Sequence, residues 1–229
     1  MTMVKVGSEE LDRRLGGIPH PSIIMVEGGH GTGKTIFVGQ LALGLTLSGL
    51  KGAFVSTETL TFGTLVKLRE VKIDLTQAFL SGSLLFAPVN VKRFDWEKTG
   101  TTALLDSLVT YISRKRLNFA ILDSFTLLAS DAKEKELLEF FRRTRLLSDL
   151  GVTLIFTVHP GVFSEALLTE TRSIVDVYFR LSAVTIGGRR LKSLERIKNT
   201  GGTIGGDVLS FDIDPALGLK VVPLSLSRA

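Results

Sequence analysis

Eight residues, "GGHGTGKT" from Gly28 to Thr35, constrain this chain more than any other stretch of it. They fill every fixed position of G-x-x-x-x-G-K-[ST], with Gly28, Gly33, Lys34 and Thr35. The apolar run "IIMVE" precedes them and a helical pattern follows, which is the strand–loop–helix setting the motif requires. Glycines let successive backbone N–H groups converge on one centre, and the helix N-terminus adds partial positive charge. The segment Gly29, His30, Gly31, Thr32, Gly33, Lys34, Thr35 and Ile36 is therefore expected to hold a nucleotide, with ATP and Mg²⁺ as the implied ligands. Lys34 would reach the β- and γ-phosphates, and the Thr35 hydroxyl would ligate Mg²⁺. His30, at a variable position, reads as surface filler.

Such a loop belongs at the carboxyl end of a strand in a sheet, and the rest of the chain supplies the sheet. Apolar runs at Ser22–Glu27, Ala53–Thr57, Leu84–Val89, Phe119–Asp123 and Val152–Val158 read as strands. They alternate with helical patterns at Lys34–Ser48, Phe62–Val71, Thr101–Lys115, Lys133–Leu150 and Ser164–Ser173. This alternation predicts an α/β fold of the RecA-like phosphate-loop type, a mainly parallel twisted sheet with helices on both faces. After Asp176 the pattern changes to two strands joined at Gly187–Gly188, a two-residue hairpin turn. Short strands at Val208–Ile213 and Leu219–Val222 follow, giving an antiparallel C-terminal extension. No second phosphate loop, repeat or Pro/Ser-rich linker divides the 229 residues, so one domain is expected over residues 1–229.

Composition narrows the function classes. Cysteine is absent, which excludes thiol catalysis, Cys-based metal sites and disulfides. Met1 to Glu10 is polar and reads as no signal peptide, while Phe37–Leu50 is too interrupted for a membrane span. The net charge of +5 raises nucleic acid and anionic membranes as partners. The basic clusters "RKR" (Arg114–Arg116), "RRTR" (Arg142–Arg145) and "RRLK" (Arg189–Lys192) read more simply as solvated helix faces or as a nucleotide pocket's own cations.

A metal–phosphate site also needs a carboxylate at the end of an apolar strand. "NFAILDS" supplies Asp123 there, in the place of a Walker B aspartate that orients Mg²⁺. Ser124 follows it, so the base that some phosphate-loop enzymes carry directly after the aspartate is missing. "GAFVSTET" ends another strand with Glu58. With "LDRRLGG" leading into the loop and "RRLKSLERIKNTGG" near the end, the chain resembles the RecA/KaiC superfamily along nearly its whole length. Within it, the likeness is to the single-domain KaiC-like component of the archaeal flagellum (archaellum) motor.

That resemblance implies roles that spacing alone does not. Glu58 takes the place of the water-activating glutamate, His159 that of a polar γ-phosphate sensor, and Lys198 that of a residue reaching the neighbouring subunit's phosphate. The strand ending at His159 is expected between the phosphate-loop strand and the Asp123 strand. The implied setting is cytoplasmic, peripheral at the membrane through the motor complex. The resemblance also implies a homo-oligomer, a hexameric ring, beside the motor ATPase FlaI, the membrane platform FlaJ and the scaffold FlaX.

The departures from the family pattern matter most. Two adjacent glutamates are usual where this chain has Glu58 and Thr59, and Lys-x-Arg is usual where it has Lys198, Asn199 and Thr200. Trans-acting arginines are worth roughly 10³–10⁵ in rate in related systems. Their loss leaves phosphate binding largely intact, because the backbone cradle and the metal supply most of it. The expected function is thus a Mg·ATP-binding assembly switch with weak or no hydrolysis. The alternatives are a RecA/RadA-like recombinase paralogue acting on DNA and an active KaiC-like ATPase. For the first, Pro160–Asp176 is a poor phosphate-tracking surface, with two glutamates and an aspartate against Arg172 alone.

Overall fold

The computed structural model describes residues 1–91, 100–186, 189–200 and 208–222. Six parallel strands form the centre: β3 (Ile23–Gly28), β4 (Gly52–Ser56), β5 (Leu84–Pro88), β6 (Phe119–Asp123), β7 (Thr153–Val158) and β8 (Val177–Ile186). Antiparallel β9 (Arg189–Asn199), β10 (Val208–Asp214) and β11 (Gly218–Val222) extend the sheet from β8. The nine-stranded order is β11-β10-β9-β8-β3-β7-β6-β4-β5. Strand β7 lies between β3 and β6, as expected. The Gly187–Gly188 turn lies outside the described residues.

The central strands are apolar almost throughout because both faces are covered. On one side α2 (Lys34–Leu47) and α3 (Thr61–Arg69) bury Phe37, Leu41, Leu45 and Leu68 against Ile24, Val26 and Phe54. A small residue is required where α2 meets the N-terminal segment: a Cβ on Gly44 would stand 2.3 Å from the Lys5 carbonyl oxygen. On the other side lie α5 (Thr101–Arg114), α7 (Glu134–Asp149) and α8 (Glu165–Ile174). Their apolar residues pack on Ile23, Met25, Ala120 and Phe156, around a group of rings centred on Phe125.

Five short elements escape the sequence pattern: β1 (Thr2–Val4), α1 (Glu9–Leu15), β2 (Ile18–His20), α4 (Thr76–Leu80) and α6 (Phe125–Leu128). None is long enough to show a period. The first three form a small antiparallel pair with a one-face helix, fastened by Asp12 accepting from the Val6 amide at 2.6 Å. Predicted boundaries of the longer elements stand within one or two residues of those observed. Of the basic clusters, "RRLK" lies on β9, in the strand expected after Asp176, while Arg143 and Arg145 of "RRTR" pair with Asp106 and Asp176.

Candidate functional site

The carboxyl ends of β3, β4, β6 and β7 open into a cleft of about 220 Å³. Gly29 to Ile36, Glu58, Asp123, Ser124 and His159 line it, joined by Lys67, Lys192 and Ile213. The structure thus brings together every residue of the predicted phosphate loop, the predicted metal carboxylate, the candidate base and the candidate sensor.

The loop's shape follows from its glycines. Gly31 and Gly33 have φ of +72° and +94°, where an L side chain is strained. Gly28 is excluded from substitution by space instead: a Cβ there would meet Thr32 Oγ1 at 2.6 Å and the Leu181 carbonyl oxygen at 2.8 Å. Thr32 closes the turn by donating to the Gly29 carbonyl at 2.9 Å. Helix α2 begins at Lys34 with no side-chain cap, so its first amides face the cleft.

Lys34 is 8% exposed, and its ammonium donates to the carbonyls of Gly28 (2.6 Å) and Gly29 (3.0 Å). Burial lowers its pKa, while Asp123 and Glu58 oppose that shift. Asp123 is 7% exposed and accepts from Thr157 Oγ1 at 2.7 Å, with the Thr35 hydroxyl as a further donor. Burial pushes its carboxyl pKa up, the two hydroxyls pull it down, Glu58 raises it and Lys34 lowers it. A buried carboxylate beside hydroxyls is an oxygen-donor set suited to a hard cation. Among the described residues no group of three or more His, Cys, Asp or Glu side chains forms a metal cage. The Mg²⁺ of a nucleotide takes only one or two protein ligands, so the pair fits it.

Glu58 stands exposed just past β4. Thr59, in the place of a second glutamate, is tied into a local hydroxyl set: its Oγ1 lies 2.7 Å from Thr64 Oγ1 and 3.4 Å from Ser56 Oγ. His159 is oriented through its backbone, which donates to Thr126 Oγ1 at 2.9 Å, and its Nδ1 lies 3.5 Å from Lys34 Nζ. Burial lowers its pKa, helped by Lys34 and His30 and opposed by Glu58. His30 is more than surface filler. Its ring packs on that of His159 with centroids 4.3 Å apart, at the wall of the cleft.

Lys198 does not join this group. Its ammonium donates to the carbonyls of Arg172 (2.9 Å) and Ser173 (3.1 Å), at the carboxyl end of α8 of its own chain. Cations there are favoured by the helix dipole and the unpaired last carbonyls. Along β9 it lies six residues from Lys192, or about 20 Å at strand rise. Lys192 is the β9 residue that reaches the loop: its side chain and that of Ile213 would stand 3.2 and 3.1 Å from a Cβ on Gly33. The only advance signal for Lys192 is its membership of "RRLK". Thr157 and Thr126 carry none, since a threonine acquires such a role only from what packs beside it.

Comparison with known proteins adds to this geometry. The chain matches the family model for the KaiC ATPase over residues 4–225. It is 50% identical over 227 residues to the archaeal flagellar ATP-binding protein FlaH of Sulfolobus acidocaldarius, covering 99% of this chain and 100% of the relative. The crystal structure of the flagellar accessory protein FlaH from Methanocaldococcus jannaschii superposes with a TM-score of 0.83 at 27% identity, covering 97% of this chain and 100% of that one. A KaiC-like protein of Pyrococcus horikoshii shares the fold, with a TM-score of 0.76 at 22% identity over 97% of this chain and 99% of that one.

Proposed function

Because the chain belongs to the KaiC family of ATPases, we propose that it binds Mg·ATP in this cleft and uses the nucleotide chiefly to organise an assembly, with slow hydrolysis. The backbone amides of the loop and Lys34 hold the β- and γ-phosphates, while Thr35 and Asp123 would hold the metal. The metal, when bound, supplies positive charge against the phosphates. Gly33 supplies the positive φ that the cradle needs, and Gly28 has no room for a side chain.

The observation that carries slow hydrolysis is Thr59. Its hydroxyl is bound among Ser56 and Thr64, so Glu58 stands without a second carboxylate to help poise a water. Thr200 likewise replaces the arginine that would stabilise charge developing on a neighbour's phosphate. The whole chain is one ATP-binding unit in this reading. From the likeness to FlaH proteins, the assembly is a hexameric ring on the cytoplasmic side of the archaellum motor, with FlaI, FlaJ and FlaX as partners and motility as the outcome. No helix among the described residues is long and apolar enough to cross a membrane, so membrane association would come through the motor complex. A DNA-binding role has less support, because Arg172 of the Pro160–Asp176 segment is tied to Glu27 and Glu165.

Oligomeric mass measured with different nucleotides tests this. ATP and a non-hydrolysable analogue should promote assembly equally, and ADP less, because a ligand shifts assembly only by its preference for the assembled state. Lys198→Ala should weaken assembly more than ATP binding to the monomer. Assembly indifferent to nucleotide, or steady-state turnover on the order of 1 s⁻¹ or faster, overturns the reading.

A further inference from the structure

Strands β3 and β7 run parallel with Glu27 level with Val158, so the two chain segments leave the sheet side by side at the cleft. Each carries an imidazole there. His159 stands half-buried just past β7, and His30 stands exposed in the phosphate loop that follows β3. Both line the cleft, and their rings meet with centroids 4.3 Å apart and planes tilted by 35°. Two of the chain's three histidines are thus in contact where the loop turns.

The two rings differ in their capacity for charge. His159 Nδ1 lies 3.5 Å from Lys34 Nζ. An ammonium only donates, so the nitrogen facing it is the unprotonated one of a neutral ring. Burial, Lys34 and His30 all hold the His159 pKa below its ordinary value, while Glu58 opposes them. His30 is open to solvent and meets His159 from the side away from this ammonium contact. Asp123 from β6, Lys67 from α3 and Lys192 from β9 complete the charged side chains around the cleft. Lys34 reaches the β- and γ-phosphates in this motif, so the imidazole pair adjoins the end of the cleft where the terminal phosphate lies. Negative charge brought beside an imidazole favours its protonated form. Two touching imidazoliums repel, so the pair takes one proton and no more.

We propose that His30 is a γ-phosphate-contacting residue that takes up one proton from solvent when a triphosphate binds, its imidazolium donating to a γ-phosphate oxygen while resting on the neutral ring of His159. This rests on the reading of the cleft as an ATP site. A diphosphate brings no charge to that place and no proton with it. Preference for the triphosphate therefore rises as the pH falls, because a binding step that takes up a proton is favoured by acid.

Isothermal titration with a non-hydrolysable ATP analogue and with ADP tests this, at saturating Mg²⁺ and in buffers of different ionisation enthalpy. At pH 7 the wild type should take up about half a proton or more per analogue bound, and none measurable with ADP. The analogue-to-ADP affinity ratio should rise about tenfold from pH 8 to pH 6. His30→Phe keeps a ring against His159 but has no nitrogen to protonate, and should abolish both the uptake and the pH dependence of the ratio. His30→Gln should do the same and serves if the phenylalanine variant does not fold. His159→Gln should keep most of the uptake. Analogue binding by the wild type without proton uptake overturns the proposal. Uptake that survives in His30→Phe and disappears in His159→Gln does so too, since the proton then belongs to His159. Wild-type protein that binds neither nucleotide overturns the ATP-site reading as well.

Discussion

Two buried aspartates stand at opposite ends of the parallel sheet, and their surroundings differ in kind. Asp176, 5% exposed, lies at the entry of β8. It accepts from the Ile23 amide at 2.8 Å and from both terminal nitrogens of Arg145 at 3.1 and 3.0 Å. Its own backbone amide donates to the Ile23 carbonyl, and its carbonyl accepts from Thr200. Asp123, 7% exposed, lies at the exit of β6 and receives hydroxyls instead of a guanidinium. A carboxylate forked by arginine and backbone is matched within the fold. A carboxylate whose pKa is raised by burial, beside a cleft, is matched by something that enters. Satisfaction, more than burial, separates the aspartate that holds the fold from the one that faces the ligand.

The sharpest break of this contrast is Lys34→Ala. It removes the side-chain cation fixed at the terminal phosphates and should reduce ATP affinity by about a hundredfold or more. Stability of the nucleotide-free protein should change little, because a buried lysine is itself disfavoured, as its lowered pKa indicates. Near-unchanged affinity in isothermal titration contradicts the phosphate-loop assignment. Asp176→Ala should do the reverse. Breaking a buried, hydrogen-bonded ion pair leaves Arg145 without its carboxylate and should cost about 3 kcal/mol in urea unfolding, with ATP affinity of the folded fraction preserved.

Asp123→Asn probes the other member of the pair more gently. The amide keeps the size and one acceptor, so folding should be retained or slightly improved, given the cost of burying the carboxylate. The Mg²⁺-dependent part of ATP affinity should fall about tenfold, and affinity measured in excess chelator should be the same as in the wild type. A loss independent of Mg²⁺ assigns Asp123 elsewhere.

The smallest effect is one of pH. His20 and His159 are both held below the ordinary value of 6.5 by burial, His20 beside the charged N-terminus and His159 beside Lys34. An imidazole with a lowered folded pKa binds fewer protons folded than unfolded. The stability associated with it is therefore intact above 6.5 and lost as the pH falls through that value toward the folded pKa. The melting temperature of the nucleotide-free protein should drop by a few degrees from pH 7.5 to 5.5, on the order of 1 kcal/mol or less. His159→Gln should flatten part of that slope, and an unaltered slope would show that His159 is not protonated in this range.

Local pattern and distant contact divided the work of specifying this molecule. Residues alone determined the phosphate loop, the alternating strands and helices, and the positions of Asp123 at the end of β6 and Glu58 just past β4. Each of these is a short-range pattern: glycine spacing, apolar runs and breaks fall within about thirty residues, the size of a βαβ unit. Tertiary structure decided which of the polar residues are spoken for. Thr157 became the donor to Asp123 across 34 residues, Tyr178 the donor to Glu27 across 151, and Arg196 the donor to the Leu15 carbonyl across 181. Lys192 and Lys198 share one strand and the same chemistry. The first leans on the phosphate loop and the second holds the end of α8. A lysine has the same charge in either place, and its function follows from the carbonyls or phosphates within its reach. Those neighbours are set by how strands and helices pack, which no local stretch of sequence records.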